Sequence, residues 1–140
     1  MKLYQIYALI SMLFAGLTSV MAKAGLKNVS SDIGLTVRTT VVFGIVGLNV
    51  LLFQPLKEFN QLTSKDVIFL AISGFTTSIS WIFYYKAIKM GNVSEVALID
   101  KGSIIITMLL SIFLLQEQFT WKMAAGSALI ISGLLVLTLK

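Results

Sequence analysis

Five apolar runs of membrane length fill this chain, and the connections between them are short. The runs are Leu3–Ala22, Ile33–Phe53, Val67–Tyr85, Val93–Leu115 and Met123–Leu139. A hydrocarbon core about 30 Å thick takes about 20 apolar residues in helical form. The second run is rich in Val, Gly and Thr, a composition that favours strands in water. Within a bilayer a single run must satisfy its own backbone hydrogen bonds, so it too reads as helix. The expected fold class is therefore all-α: a polytopic membrane protein built as a bundle of five transmembrane helices, with residues 1–140 forming a single domain. No room is left for a soluble catalytic module or a nucleotide-binding loop. The first run also resembles a cleavable signal peptide, with Lys2 ahead of it and small residues at its exit. Its apolar stretch is longer than the usual signal core, which favours a retained span.

Charge supports the same class. Only 12% of the 140 residues are charged, against about 25% in soluble proteins. The net charge of +5 is spread over the turns. It forms no basic stripe with interleaved aromatics, so a nucleic-acid partner is excluded. The chain has no Cys and no His. Disulfides, thiol chemistry and the usual zinc sites are thereby removed, and neither a metal nor a cofactor is expected. In a membrane protein the basic residues orient the spans. Lys23, Lys27, Arg38, Lys86, Lys89, Lys101 and Lys140 fall on one side, against Lys2, Lys57, Lys65 and Lys122 on the other. This places the C-terminus in the cytoplasm and the N-terminus outside. Without the embedded Arg38 and Lys101 the balance is nearly even, which is compatible with insertion in both orientations.

Local signals mark where the spans begin and end. Gly25 and Asn28 break the first, and Ser30-Ser31-Asp32 offers capping oxygens to the second. Gln54-Pro55 ends the second, because the residue before a proline avoids helix. Thr63-Ser64-Lys65-Asp66 has the spacing of a capping box, and Asn92-Val93-Ser94-Glu95 repeats it. Gly91 stands where a helix-ending glycine is expected. Trp121, Tyr4, Tyr7, Tyr84 and Tyr85 lie near span ends, as interfacial anchors do.

The polar residues inside the runs are the candidate functional groups. Asp100 and Lys101 sit side by side in the fourth run. A charge at that depth costs roughly 2.5–3.5 kcal/mol on insertion scales, so it usually faces a partner or a wet cavity. Asp100, Ser103, Thr107 and Ser111 share one helix face. They read as a stripe lining a cavity, or as ordinary polar contacts between membrane helices. Ser73, Thr77, Ser80 or Trp81, and Tyr84 form a similar stripe in the third run. Lys101 points about 100° from Asp100 and either lines the path or reaches to the interface. Arg38 in the second run starts from the same side as Asp100. The two are expected to approach one another or to alternate partners, unless Arg38 snorkels to headgroups. Gly16, Gly44, Gly47, Gly126 and Gly133 offer small faces for tight helix contacts.

Taken in order, these residues resemble the repeat of the EamA family of the drug/metabolite transporter superfamily. The resemblance runs through Trp81 and Tyr84-Tyr85-Lys86-Ala87, Gly91-Asn92-Val93-Ser94 and Ile99-Asp100-Lys101. It continues through Glu117 with Phe119-Thr120, then Gly126, Leu129-Ile130 and Gly133. Arg38 also matches a position where such repeats often carry an arginine. The resemblance implies one repeat of an inverted-repeat transporter. It implies a secondary transporter of small metabolites across the inner membrane, acting as a dimer by alternating access and not as an enzyme. The partners it implies are the lipid bilayer, a small-molecule substrate, and either a second copy of this chain (antiparallel in one arrangement) or a related chain. The expected pathway residues are Asp100, Lys101, Ser103, Thr107, Trp81, Thr77, Tyr84 and Arg38. Two alternatives are a small multidrug exporter and a non-transporting subunit of a membrane complex. The first is disfavoured because such exporters depend on an embedded acid in span one, and here that span has none.

Overall fold

The computed structural model describes residues 2–138. Leu139 and Lys140, which enter the predicted end of span five and the charge balance, lie outside the described residues. Those described form six α-helices and one 3-10 turn, with no strand among them. By length and composition, four segments can cross a membrane: Leu3–Gly25, Ser31–Phe53, Ser64–Met90 and Val93–Leu115. The last helix, Trp121–Thr138, has 18 residues and is about 27 Å long at 1.5 Å per residue, slightly short of a 30 Å core. The chain divides into two compact units, residues 1–90 and 91–140.

In the first unit, α1 (Leu3–Gly25) ends where the Leu26 N–H donates to the carbonyls of Ala22 and Lys23 at 3.0 and 3.2 Å. Ser30 then caps α2 (Ser31–Phe53), its Oγ accepting the Ile33 N–H at 3.4 Å. Gln54 is extended, at φ −117° and ψ 139°, the conformation that Pro55 imposes on its predecessor. After the 3-10 turn Leu56–Gln61, the Thr63–Asp66 capping box forms. The Asp66 carboxylate accepts from the Thr63 N–H at 3.0 Å and from the Thr63 hydroxyl at 2.6 Å, and the Asp66 N–H donates back at 3.3 Å. This box starts α3 (Ser64–Met90), whose 27 residues reach about 40 Å. Both α1 and α2 pack on α3. The apolar core is small: Leu26, Tyr85 and Ile88 are 1%, 4% and 0% exposed. Gly34 makes this core possible, because a Cβ there would overlap the Leu26 Cδ2 methyl.

In the second unit the fourth run is membrane-length and tightens partway along. It is α4 (Val93–Asp100), a tight turn at Lys101-Gly102, then α5 (Ser103–Leu115). At the turn the hydrogen bonds tighten to the i−3 pattern: Lys101 to Leu98 at 3.1 Å, Gly102 to Ile99 at 2.9 Å, Ile104 to Lys101 at 3.1 Å and Ile105 to Gly102 at 3.0 Å. Such a stretch inside a helix often marks a hinge. Gly102 fits closely there. An added Cβ would sit 3.0 Å from the Ile99 carbonyl oxygen and 3.2 Å from a Leu134 methyl on α6 (Trp121–Thr138). Both α4 and α5 pack on α6.

One boundary expectation is corrected. Asn92 precedes α4 in extended conformation, but its side chain makes no capping bond. Gly91 follows Met90, the last residue of α3, as a helix-ending glycine does. It does so without the left-handed conformation, which among the described residues only Gln116, ending α5 at φ 55°, adopts. Tyr84 and Tyr85 lie in the last turns of α3, and Tyr85 is buried.

Candidate functional site

Arg38 is the central cation of the first unit. It stands seven residues past the first residue of α2, about 10 Å along the helix axis. Its guanidinium carbon lies 4.1 Å from the centroid of the Trp81 ring and 5.9 Å from that of Tyr85. Trp81 and Tyr85 are one turn apart on α3 and so share a face. A cation over an aromatic face gains about 0.5–2 kcal/mol, more when water is excluded. That stacking offsets part of the cost of holding a charge at this depth. It leaves hydrogen bonding unsatisfied, however: Nη1 is buried and has no acceptor among the described residues.

Arg38 and Tyr85 also line a crevice of about 520 Å³ between α1, α2 and the loop joining them. Its other walls are almost wholly apolar and include Phe14, Leu17, Met21 and Val37. From Phe14 to Gly25 it follows α1 for about 16 Å.

Around this crevice two lysines exchange helix ends. Lys23, in the last turn of α1, sends its ammonium to the carbonyls of Ile88 and Lys89 near the end of α3, at 2.6 and 3.2 Å. Lys89, in the last turn of α3, returns to the loop after α1, donating to Leu26, to Lys27 at 3.2 Å and to Val29 at 2.9 Å. Carbonyls at a helix C-terminus lack intrahelical donors and carry partial negative charge, so each lysine caps the other helix. Tyr84 adds a further cross-link, its hydroxyl donating to the Ser19 Oγ at 2.7 Å.

The remaining predicted pathway residues are placed as follows. Thr77 donates its hydroxyl to the Ser73 carbonyl on its own helix at 2.8 Å. Thr107 does the same to Ser103 at 3.1 Å. Each keeps its lone pairs available as acceptors. Asp100 is the last residue of α4, Lys101 begins the turn, and both are exposed. Ser103 opens α5 and is exposed as well. The structure thus gathers Arg38, Trp81 and Tyr84 in the first unit, and Asp100, Lys101, Ser103 and Thr107 around the interruption in the second.

The sequence reading did not place Tyr85 in the site, and it did not single out Ser19 or the lysine exchange. Tyr85 was findable, since it follows Trp81 at i+4. The lysines were not, because their partners are backbone carbonyls 60 or more residues away. The interruption also left a signal: a glycine beside two charges within an apolar run points to a broken helix.

The model of the EamA-like transporter family matches residues 2–139. A protein of Sinorhizobium sp, named as an uncharacterized transporter in the cobO 3′ region, is 33% identical over 134 residues, covering 96% of this chain and 95% of its own length. No solved structure gives a significant match to the chain.

Proposed function

The chain belongs to the EamA-like transporter family, and from that premise we propose that it is a secondary transporter of small metabolites in the inner membrane. The observation that carries this reading is the family match, which extends over all the membrane-length runs. The interruption of the fourth run supports it. Transporters use broken helices near mid-membrane to present polar backbone and side chains to a substrate.

In this reading Asp100 takes up a proton, an ion or a cationic substrate group. Lys101, Ser103, Thr107, Thr77, Trp81 and Tyr84 line the path, and the C-terminus is cytoplasmic. The chain works as a dimer by alternating access, either with a second copy or with a related chain. Two features favour a partner. Inverted-repeat carriers bind substrate where two halves meet. In addition, Gly16, Gly44, Gly47, Gly126 and Gly133 have nothing within 4 Å of an added Cβ, so their small faces are open to another chain.

The test is flux. Purified protein is reconstituted into vesicles loaded with a pH-sensitive dye and challenged with small carboxylates, amines and neutral metabolites. Wild type moves at least one class, and Asp100→Asn lowers that flux about tenfold or more while helicity is retained. Absence of flux in every class, or equal flux in Asp100→Asn, would count against the reading.

A further inference from the structure

We propose that the crevice between α1 and α2 is a binding site for an oxyanion carried on an apolar body, with Arg38 as its anchor. The inference depends on the transport reading only for calling the bound molecule a substrate. Three observations meet at this site. The crevice, about 520 Å³, is large enough for a small amphiphile, and its walls at Phe14, Leu17, Met21 and Val37 are apolar. The cation that lines it is a guanidinium, whose planar fork of five donors matches a carboxylate or phosphate in bidentate geometry. That fork is already oriented by Trp81 at 4.1 Å, yet its buried Nη1 has no acceptor.

Buried donors are nearly always satisfied, so an orphan of this kind calls for a partner. The aromatic face stabilises the positive charge without accepting its in-plane N–H groups, which leaves those groups for a ligand. A ligand with one oxyanion supplies the acceptors, and its apolar portion replaces lipid or water along α1. A neutral head would accept from Nη1 without neutralising the charge, and a cation would add repulsion. The specificity predicted for this unit is therefore for anions.

The source of the oxyanion is either a free carboxylate-bearing molecule or the phosphate of a membrane lipid, and the experiment separates them. The full chain carrying Trp121→Phe keeps Trp81 as its only tryptophan, so emission reports on the ring beneath Arg38. It is placed in phosphatidylcholine nanodiscs and titrated with 4-phenylbutyrate, 4-phenylbutanol and 4-phenylbutylamine, which share one apolar body. Phenylbutyrate is expected to bind saturably and about ten- to hundredfold tighter than the other two, the range for hydrogen bonds to a charged group. Arg38→Gln abolishes that preference. Ala22→Leu, which narrows the crevice and leaves Arg38 intact, weakens phenylbutyrate alone.

Repeating the titration in maltoside micelles, which carry no phosphate, assigns the source. Tighter binding there than in the discs identifies a lipid phosphate as the competitor, and equal binding identifies a free molecule. Equal affinity for the three probes, or an unchanged preference in Arg38→Gln or Ala22→Leu, overturns the site. Binding without vesicle flux contradicts transport and leaves the site standing. Flux together with binding indifferent to the head group does the reverse.

Discussion

In residues 1–90, lysines from two helices cross to each other's carbonyl ends, a tyrosine bonds a serine on a neighbouring helix, and an arginine lies on a tryptophan face. In residues 91–140, the contacts between helices include a glycine beside a leucine methyl and a serine hydroxyl 3.1 Å from a methionine sulfur. Both units are made of apolar helices of similar character. The first is braced by directional, charge-assisted bonds at one end. The second relies on close fit and contains a helix that is interrupted midway. The contrast teaches where rigidity comes from in a chain with so little core. Lipid tails are as apolar as leucine, so apolar burial does not drive helices together in a bilayer; polar cross-links and close backbone approach do. The first unit has both, with Gly34 admitting Leu26. The second has mainly the close approach at Gly102.

The largest effect is expected from the lysine exchange. Lys89→Met removes the donors to Leu26, Lys27 and Val29 and should destabilise the protein by about 2–3 kcal/mol, the range for loss of charged hydrogen bonds. Lys23→Met should follow closely. The double variant should lose less than the sum, because each lysine steadies the segment that the other caps. Unfolding in graded detergent mixtures, followed by circular dichroism, reads all three. Additive losses would mean that the two lysines act independently.

Glycine substitutions come next and set the units against each other. Gly34→Ala forces the buried Leu26 to move, and Gly102→Ala meets both a carbonyl oxygen and a methyl. Overpacking of this kind costs about 1–3 kcal/mol. Both variants should lower the unfolding midpoint, Gly34→Ala the more, since its Cβ would overlap a side chain that is 1% exposed. The opposite order would show that the second unit is the tighter one.

The smallest effects should come from single hydroxyls. Tyr84→Phe removes one bond between helices, worth about 0.6 kcal/mol in membrane proteins. Ser127→Ala removes only a bond to a thioether, a weak acceptor, and should change the midpoint less. The same detergent titration resolves the pair, and a larger loss at Ser127 would reverse the comparison.

These differences also explain what could be read from the residues in advance. The long helices follow from the length of the apolar runs, and the start of α3 from the Thr63–Asp66 spacing. Such features depend on neighbours in sequence. Arg38 was recognised as an embedded charge, but its seat on Trp81 depends on how α2 meets α3, which no local pattern carries. Lys23 and Lys89 were counted as topology-setting charges, yet their ammonium groups are held by carbonyls of another helix. Gln116 ends α5 in the left-handed conformation, which no glycine in the sequence marked in advance. The break at Lys101-Gly102 was half visible, since the glycine and the charges were evident and the tightened turn was not.

The proposed ligand site lies in the braced first unit, and the helix that tightens at Lys101-Gly102 lies in the second. Hydrogen exchange of the full chain in nanodiscs tests this most directly. Amides of residues 99–105 should exchange about tenfold or more faster than those of residues 80–88 in α3, an opening free energy lower by about 1.4 kcal/mol. Equal protection of the two stretches, or slower exchange at 99–105, would contradict it.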